Sequence, residues 1–218
     1  AFAYAIDRET LVKTHYNGFA EPAHSPVGSA YGQWYDPTIS VYNYDPQKAR
    51  KKLAEAGYSK GFSYVQPCRP RVEDTQLCEA LQSMLADVGI KADIQLYDNV
   101  TYWADFETKK QDGPLSSGYS PRGDPHLNVQ RFFHSKGASN SLGYSNPEFD
   151  RLIDEAGTVY DVAKAKEVYH KALTILEEDA PEVFLVYEPA LYVIRNYVHD
   201  FAPVFDRVIR LRDLWLSK

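Results

Sequence analysis

Gly61-Phe-Ser-Tyr-Val-Gln66, a run opened by Asp74 with Leu77, Leu81 and Leu85, and Ile90-Lys-Ala-Asp-Ile-Gln-Leu-Tyr97 together decide the fold class. The last of these alternates apolar and polar residues with period two, which predicts a strand with one covered face. The leucines recur every four residues, as on one face of a helix, and Gly89 marks its end. Two strands joined by a crossover helix form a βαβ unit, which pairs them in parallel with a right-handed connection. The chain is therefore expected to be α/β.

Upstream, Asp45-Pro46-Gln-Lys-Ala-Arg-Lys-Lys-Leu-Ala-Glu-Ala-Gly57 is punctuated as a helix, with Asp45 as N-cap, Pro46 at the first position and Gly57 past the end. Residues 1–16 predict one helix with Phe2, Ile6, Leu11 and Val12 inward, stopped at Asn17-Gly18. Residues 20–44 are rich in Pro, Gly, Ser and Tyr and predict a long loop, which inside a compact protein is functional or packs on another body. Downstream, helices are expected over 99–110, 126–134, 147–156 and 161–179, the last capped by Asp161. Short strands are expected at Leu115–Tyr119, Glu182–Tyr187, Leu191–Arg195 and Val208–Arg212.

At 218 residues the chain can bury a sizeable core. Its net charge of -6 argues against a nucleic-acid partner, which requires a concentrated basic face. Arg207, Arg210 and Arg212 alternate with apolar residues and predict the outer face of a strand rather than a basic patch. Seventeen tyrosines supply flat apolar bodies with polar tips, which suit clefts as well as cores. Cys68 and Cys78, ten residues apart, fit no common zinc spacing; a disulfide closing a short loop and two buried thiols both remain open. No apolar run approaches the ~20 residues that span a membrane. The opening Ala-Phe-Ala-Tyr-Ala-Ile has the look of a helix interior, as in a chain cut from a longer protein.

Arg122-Gly-Asp-Pro-His126 is followed by Arg131-Phe-Phe-His-Ser-Lys-Gly137 and Gly143-Tyr-Ser-Asn-Pro-Glu-Phe-Asp150. Around this block stand Ala5-Ile-Asp-Arg-Glu9, Tyr16-Asn-Gly18, Tyr44-Asp-Pro46, Leu53-Ala-Glu-Ala-Gly-Tyr58, Gly89-Ile-Lys91, Gly118-Tyr119, Glu178-Asp-Ala-Pro181 and Ile209-Arg-Leu211. Each phrase alone is weak. In this order, over nearly the whole chain, they resemble the C-terminal lobe of the peptide/nickel-type (family 5) extracellular solute-binding proteins of ABC importers.

The resemblance implies one lobe of a two-lobed periplasmic-binding-protein-like fold, a mixed sheet flanked by helices, spanning 1–218. The N-terminal lobe would be absent, and residues from about 196 to 218 would normally return toward it. It implies a periplasmic or membrane-anchored lipoprotein that binds oligopeptides or dipeptides by lobe closure and delivers them to an ABC permease in the membrane. It implies no catalysis, no cofactor and weak affinity for half a clamp. Where relatives carry an apolar strand and a Trp, this chain has Gly113-Pro-Leu-Ser-Ser117 and Tyr119, so the pocket wall is expected to differ.

A peptide zwitterion needs an acid for its ammonium and an Arg or helix N-terminus for its carboxylate. Candidate ligand-binding residues are Arg122 and Asp124 in the signature loop, with Tyr119, Trp103, Tyr31 and Trp34 as cleft aromatics. Asp124 has a structural alternative, because Asp before Pro is a helix-start signal; it could also pair with Arg122. His126 and His134, eight apart, fall on roughly one helical face and keep a nickel or other small-solute reading as runner-up. No His-Glu-x-x-His motif is present and no metal site is assigned. An α/β hydrolase is the alternative from another class, without a Gly-x-Ser-x-Gly elbow to support it.

Overall fold

In the computed structural model, β2 (Phe62–Cys68) and β3 (Ile90–Leu96) run parallel, with Phe62 opposite Ile90 and Cys68 opposite Leu96, joined by α4 (Val72–Ala86). The structure describes all residues except 40, 41, 109–117, 119, 121, 205 and 218, and leaves aside the side chain of residue 107. The parallel pair holds as expected from the alternation. Helix α4 begins one turn's fraction earlier than Asp74: its N-cap is Arg71, which makes no side-chain cap. Asp74 instead lies in the first turn, where an acid suits the positive end of the helix dipole.

The predicted helix over 1–16 is two helices, α1 (Phe2–Ala5) and α2 (Arg8–Thr14), separated at Ile6–Asp7. Asp7 caps α2 by accepting the Thr10 backbone N–H at 3.0 Å. Apolar spacing continues smoothly across the break, which hides it. Asp45 caps α3 (Pro46–Glu55) by the same device, accepting from Lys48 N at 2.9 Å. Helix α5 (Asn99–Thr108) follows, with Asp98 accepting the N–H groups of Val100 and Thr101.

Helices α6 (Pro125–Phe133), α7 (Pro147–Ala156) and α8 (Val162–Asp179) form the second half of the molecule. Asn146 and Asp161 cap α7 and α8. Caps contribute about 1 kcal/mol each. Full burial of Phe149 and Ile153, both 0% exposed, contributes roughly 1.5–3 kcal/mol apiece. The caps therefore set where these helices start, and packing keeps them.

Two apolar cores result. One gathers Val129, Phe133, Phe149, Ile153, Leu173 and Leu176 with Ala23, Val27, Tyr31 and Ile39 from the long loop. The other gathers Ile6, Leu11, Leu53, Leu81, Leu85 and Ile90. The loop thus packs, over 20–39, into its own chain. It is tied by β1 (Glu21–Pro22) to β4 (Val186–Tyr187) in an antiparallel pair, and by the Tyr187 hydroxyl donating to the Ser25 carbonyl at 3.0 Å. Arg8 lies between the cores, 5% exposed; its guanidinium donates to the carbonyls of Phe184 (2.7 Å), Ala3 (3.3 Å) and Tyr42 (3.1 Å).

The α/β architecture is as expected, with the described sheet content in three two-stranded ladders. Of the expected Glu182–Tyr187 strand, only β4 enters a ladder. Leu191–Arg195 and Val208–Arg212 form no ladder. Instead β5 (Val198–His199) pairs antiparallel with β6 (Trp215–Leu216). Arg210 pairs with Asp206, and Arg212 with Asp213, as local ion pairs off any strand. The expected strand at Leu115–Tyr119 lies, apart from Gly118, outside the described residues. Leu191, Val193, Ile209, Leu211 and Leu216 are exposed apolar side chains.

Cys68 and Cys78 are joined in a disulfide that ties the end of β2 to α4, with Cα atoms 6.6 Å apart. A bridge over so short a separation stabilises by about 2–3 kcal/mol.

Gly61 has φ +74, and a Cβ there would run into the Gly89 carbonyl oxygen, where the β2 and β3 entries converge. Gly61→Ala is expected to lose ~2–4 kcal/mol, from left-handed strain plus a backbone collision. Urea unfolding of the two chains, compared at equal m, measures this.

Candidate functional site

A cleft of about 1050 Å³ opens between the two cores. Its walls come from β2 and the turn after it, α4, α5, the loop around 19–31 and the segment 180–190. Tyr64, Gln66, Arg69, Asp74, Tyr31, Trp103 and Glu188 are among the residues lining it.

Arg69 is its best-placed cation. It sits in the three-residue turn between β2 and α4 and donates from Nη2 to Asp74 Oδ1 at 2.9 Å. Its guanidinium lies over the rings of Tyr102 and Trp103, 5.5 and 5.4 Å from their centroids. Arg71 approaches the other Asp74 oxygen at 3.8 Å. Arg69 is 18% exposed, and its Nε and Nη1 groups donate to no described residue. Stacking on aromatic faces fixes the guanidinium plane and thins its hydration without using its N–H donors. Arg69 lines a concave, partly apolar space, the setting in which an arginine grips a carboxylate most strongly.

Phenols and acids stand on the same cleft. Tyr16 donates to Glu188 Oε1 at 3.0 Å, and burial, reinforced by the Glu188 charge, pushes its phenol well up. Tyr64 donates to Gln66 Oε1 at 2.8 Å, and burial pushes its phenol up to about 12.

The sequence candidates fall in three places. Trp103 and Tyr31 line the cleft. The Tyr31 hydroxyl, 3.1 Å from each, accepts the Arg122 backbone N–H and the Asn128 side-chain amide, so it anchors the signature loop to α6. Arg122 and Asp124 are exposed in that loop, and Asp124 caps α6 by accepting the His126 N–H at 2.8 Å. Trp34 packs edge-on against Tyr169 at 5.6 Å, beside the α6–α8 core. Tyr119 lies outside the described residues.

The two histidines have separate surroundings. His126 Nδ1 is 3.1 Å from the Tyr169 hydroxyl. His134 is buried and lies 3.3 Å from Asp154 and 3.8 Å from Asp150, while its Nδ1 accepts the Lys136 N–H. Among the described residues no cluster of three or more His, Cys, Asp or Glu is arranged to hold a metal ion.

A model of the bacterial extracellular solute-binding proteins, family 5 middle region, matches residues 1–140. The chain belongs to this family. Family 5 relatives include the heme-binding protein A of Haemophilus influenzae, 29% identical over 95% of this chain and 37% of its own. The glutathione-binding protein GsiB of Escherichia coli K12 is 34% identical over 86% of this chain and 38% of its own. The crystal structure of a dipeptide-binding protein from Pseudoalteromonas sp. SM9913 with Met-Leu superposes with a TM-score of 0.82 at 25% identity, over 99% of this chain and 44% of that one. The chain therefore spans less than half the length of each of these family 5 proteins.

Sequence reasoning missed Arg69. In Cys68-Arg-Pro-Arg71 it looks like one more solvated arginine, and only the fold brings Trp103 under it and Asp74 beside it. The available signal was its place in the connection between the predicted strand and its crossover helix, beside Cys68.

The unfolded Tyr64 phenol releases its proton near pH 10, before the folded one does. Its contribution to stability is therefore full below about pH 10 and is lost as pH rises through about 12. Ultraviolet titration of wild type against Tyr64→Phe is expected to show one phenol fewer ionising near pH 12, and the variant is expected to unfold less steeply in alkali.

Proposed function

We propose that this chain is the C-terminal lobe, over 1–218, of a two-lobed extracytoplasmic receptor that captures small carboxylate-bearing solutes, di- or oligopeptides first among them. The receptor hands its ligand to an ABC permease and performs no chemistry on it. The observation that carries this reading is the Arg69 guanidinium, pinned by Asp74 and two aromatic faces on an open cleft. Heme, glutathione and Met-Leu, named with the relatives and the matching structure, share one chemical feature, a carboxylate.

In this reading Trp103 and Tyr31 line the ligand wall directly. Tyr119, Arg122, Asp124 and Trp34 complete it once the opposite lobe closes, and closure excludes the water that would weaken each contact. Residues from about 196 to 218 return toward the N-terminal lobe. The exposed apolar side chains Leu191, Val193, Ile209, Leu211 and Leu216 support this, because a lobe interface would cover them. The receptor works in the periplasm or tethered to the outer face of a membrane.

Mass spectrometry of the two-lobed protein, purified without refolding and then denatured, tests the reading. Peptides with free carboxylates are expected in near-stoichiometric amount. An empty protein with hydrolytic activity that vanishes on replacing one Ser or His would overturn it. Arg69→Ala is expected to weaken peptide affinity roughly 10- to 100-fold in calorimetry, the worth of a hydrogen bond to a charged group. A peptide amide, lacking the carboxylate, is expected to lose little from the same substitution.

A further inference from the structure

The Arg69 side chain is held by Asp74 and two aromatic rings, but the turn 69–71 that carries it has less to hold its backbone. Arg71 opens α4 without a side-chain cap. The turn 69–71 has one proline, at 70, and is half exposed. An arginine on such a turn would ordinarily sample many positions, and every one of them would have to be given up on binding.

The disulfide adds a restraint on the backbone at the base of that turn. Cys68 is the residue before Arg69 and the last of β2; its carbonyl accepts the Tyr97 N–H at 2.8 Å, which fixes it to the end of the parallel pair. Cys78 lies on the inward face of α4, one turn past Asp74. Cys68 Sγ lies 3.3 Å from the Asp74 carbonyl oxygen. Both sulfurs are inaccessible, at residues 1% and 2% exposed. The closed loop therefore contains both partners of the Arg69–Asp74 ion pair and holds them at a set distance from the strand end and from α5, whose Trp103 underlies the guanidinium.

We propose that the Cys68–Cys78 bridge is a positioning element for ligand capture: it holds the Arg69 guanidinium in its ligand-receiving place, and the affinity of the receptor for carboxylates depends on it. This rests on the reading of Arg69 as the carboxylate receptor. With both sulfurs buried, the bridge is a permanent fixture of the site rather than a reversible redox control.

The test uses the two-lobed protein with Cys68→Ala/Cys78→Ala, and Cys68→Ser/Cys78→Val should the first fail to fold. Unchanged hydrogen exchange in α7 and α8 shows that the rest of the lobe is intact. The first readout needs no ligand: the rate at which phenylglyoxal modifies Arg69, followed by peptide mass spectrometry. It is expected to rise at least about 5-fold when the bridge is removed, and an unchanged rate overturns the proposal. The second is affinity for Met-Leu. Bridge removal is expected to weaken it about 10-fold in wild type and less than 2-fold in an Arg69→Ala background, since a bridge acting through Arg69 has nothing left to position there. Equal weakening in both backgrounds means a merely structural bridge and overturns the proposal. If Arg69→Ala alone leaves Met-Leu affinity unchanged, the carboxylate reading fails instead, whatever the bridge does.

Discussion

A guanidinium out of water is costly unless its donors are met, and Arg8 is met by three backbone carbonyls, one from the preceding helix and two from distant stretches of chain. Phe184 belongs to the α6–α8 core, Ala3 to the first helix, and Tyr42 to the end of the long loop. One side chain thus ties the α2 helix to the segment before β4 and to the end of the long loop. Burial lowers the Arg8 pKa, with the nearby Glu177 charge opposing the shift. Glu177 is itself buried, 3.6 Å from His24, which brings the loop into the same polar joint. Hydrophobic contact holds each core together; a small set of directional bonds holds them relative to one another.

The cleft inherits its chemistry from this arrangement. The cation and the aromatic faces beside it come from one stretch, 69–103, and the other wall comes from the loop and the segment 180–190. Arg69 arrives from the β2–α4 turn, Trp103 from α5, Tyr31 from the loop, and they meet because the parallel pair and the β1–β4 ladder bring those stretches to one side. The signature loop contributes differently. Asp124 spends its carboxylate on the α6 N-terminus, and the Arg122 backbone is held by Tyr31. Around the cleft the loop supplies shape and anchoring, and the β2–α4 turn supplies charge.

Legibility in the sequence followed the range of the interaction involved. Caps are local, so Asp45-Pro46, Asn146-Pro147 and Asp161 located α3, α7 and α8 to within a residue. The parallel pair was legible because its alternation and its crossover helix lie in one continuous stretch. The break at Ile6–Asp7 was not, since apolar spacing runs on through it. Strands expected at Leu191–Arg195 and Val208–Arg212 have strand-like composition, but a ladder needs a partner, and composition does not name one. Arg69 escaped notice for the same reason: what an arginine does depends on what the fold sets against it.

The division into two cores also bears on how a receptor of the kind proposed above diversifies. The side chains on the cleft wall at Arg69, Trp103 and Glu188 sit on turns, a helix face and an extended segment that belong to the edges of the cores rather than their centres. On the function proposed above, substitutions there change what is recognised while leaving Phe149, Ile153 and Ile90 undisturbed. On such a plan the recognition surface and the folding core are carried by different side chains, joined through the hydrogen bonds of Arg8.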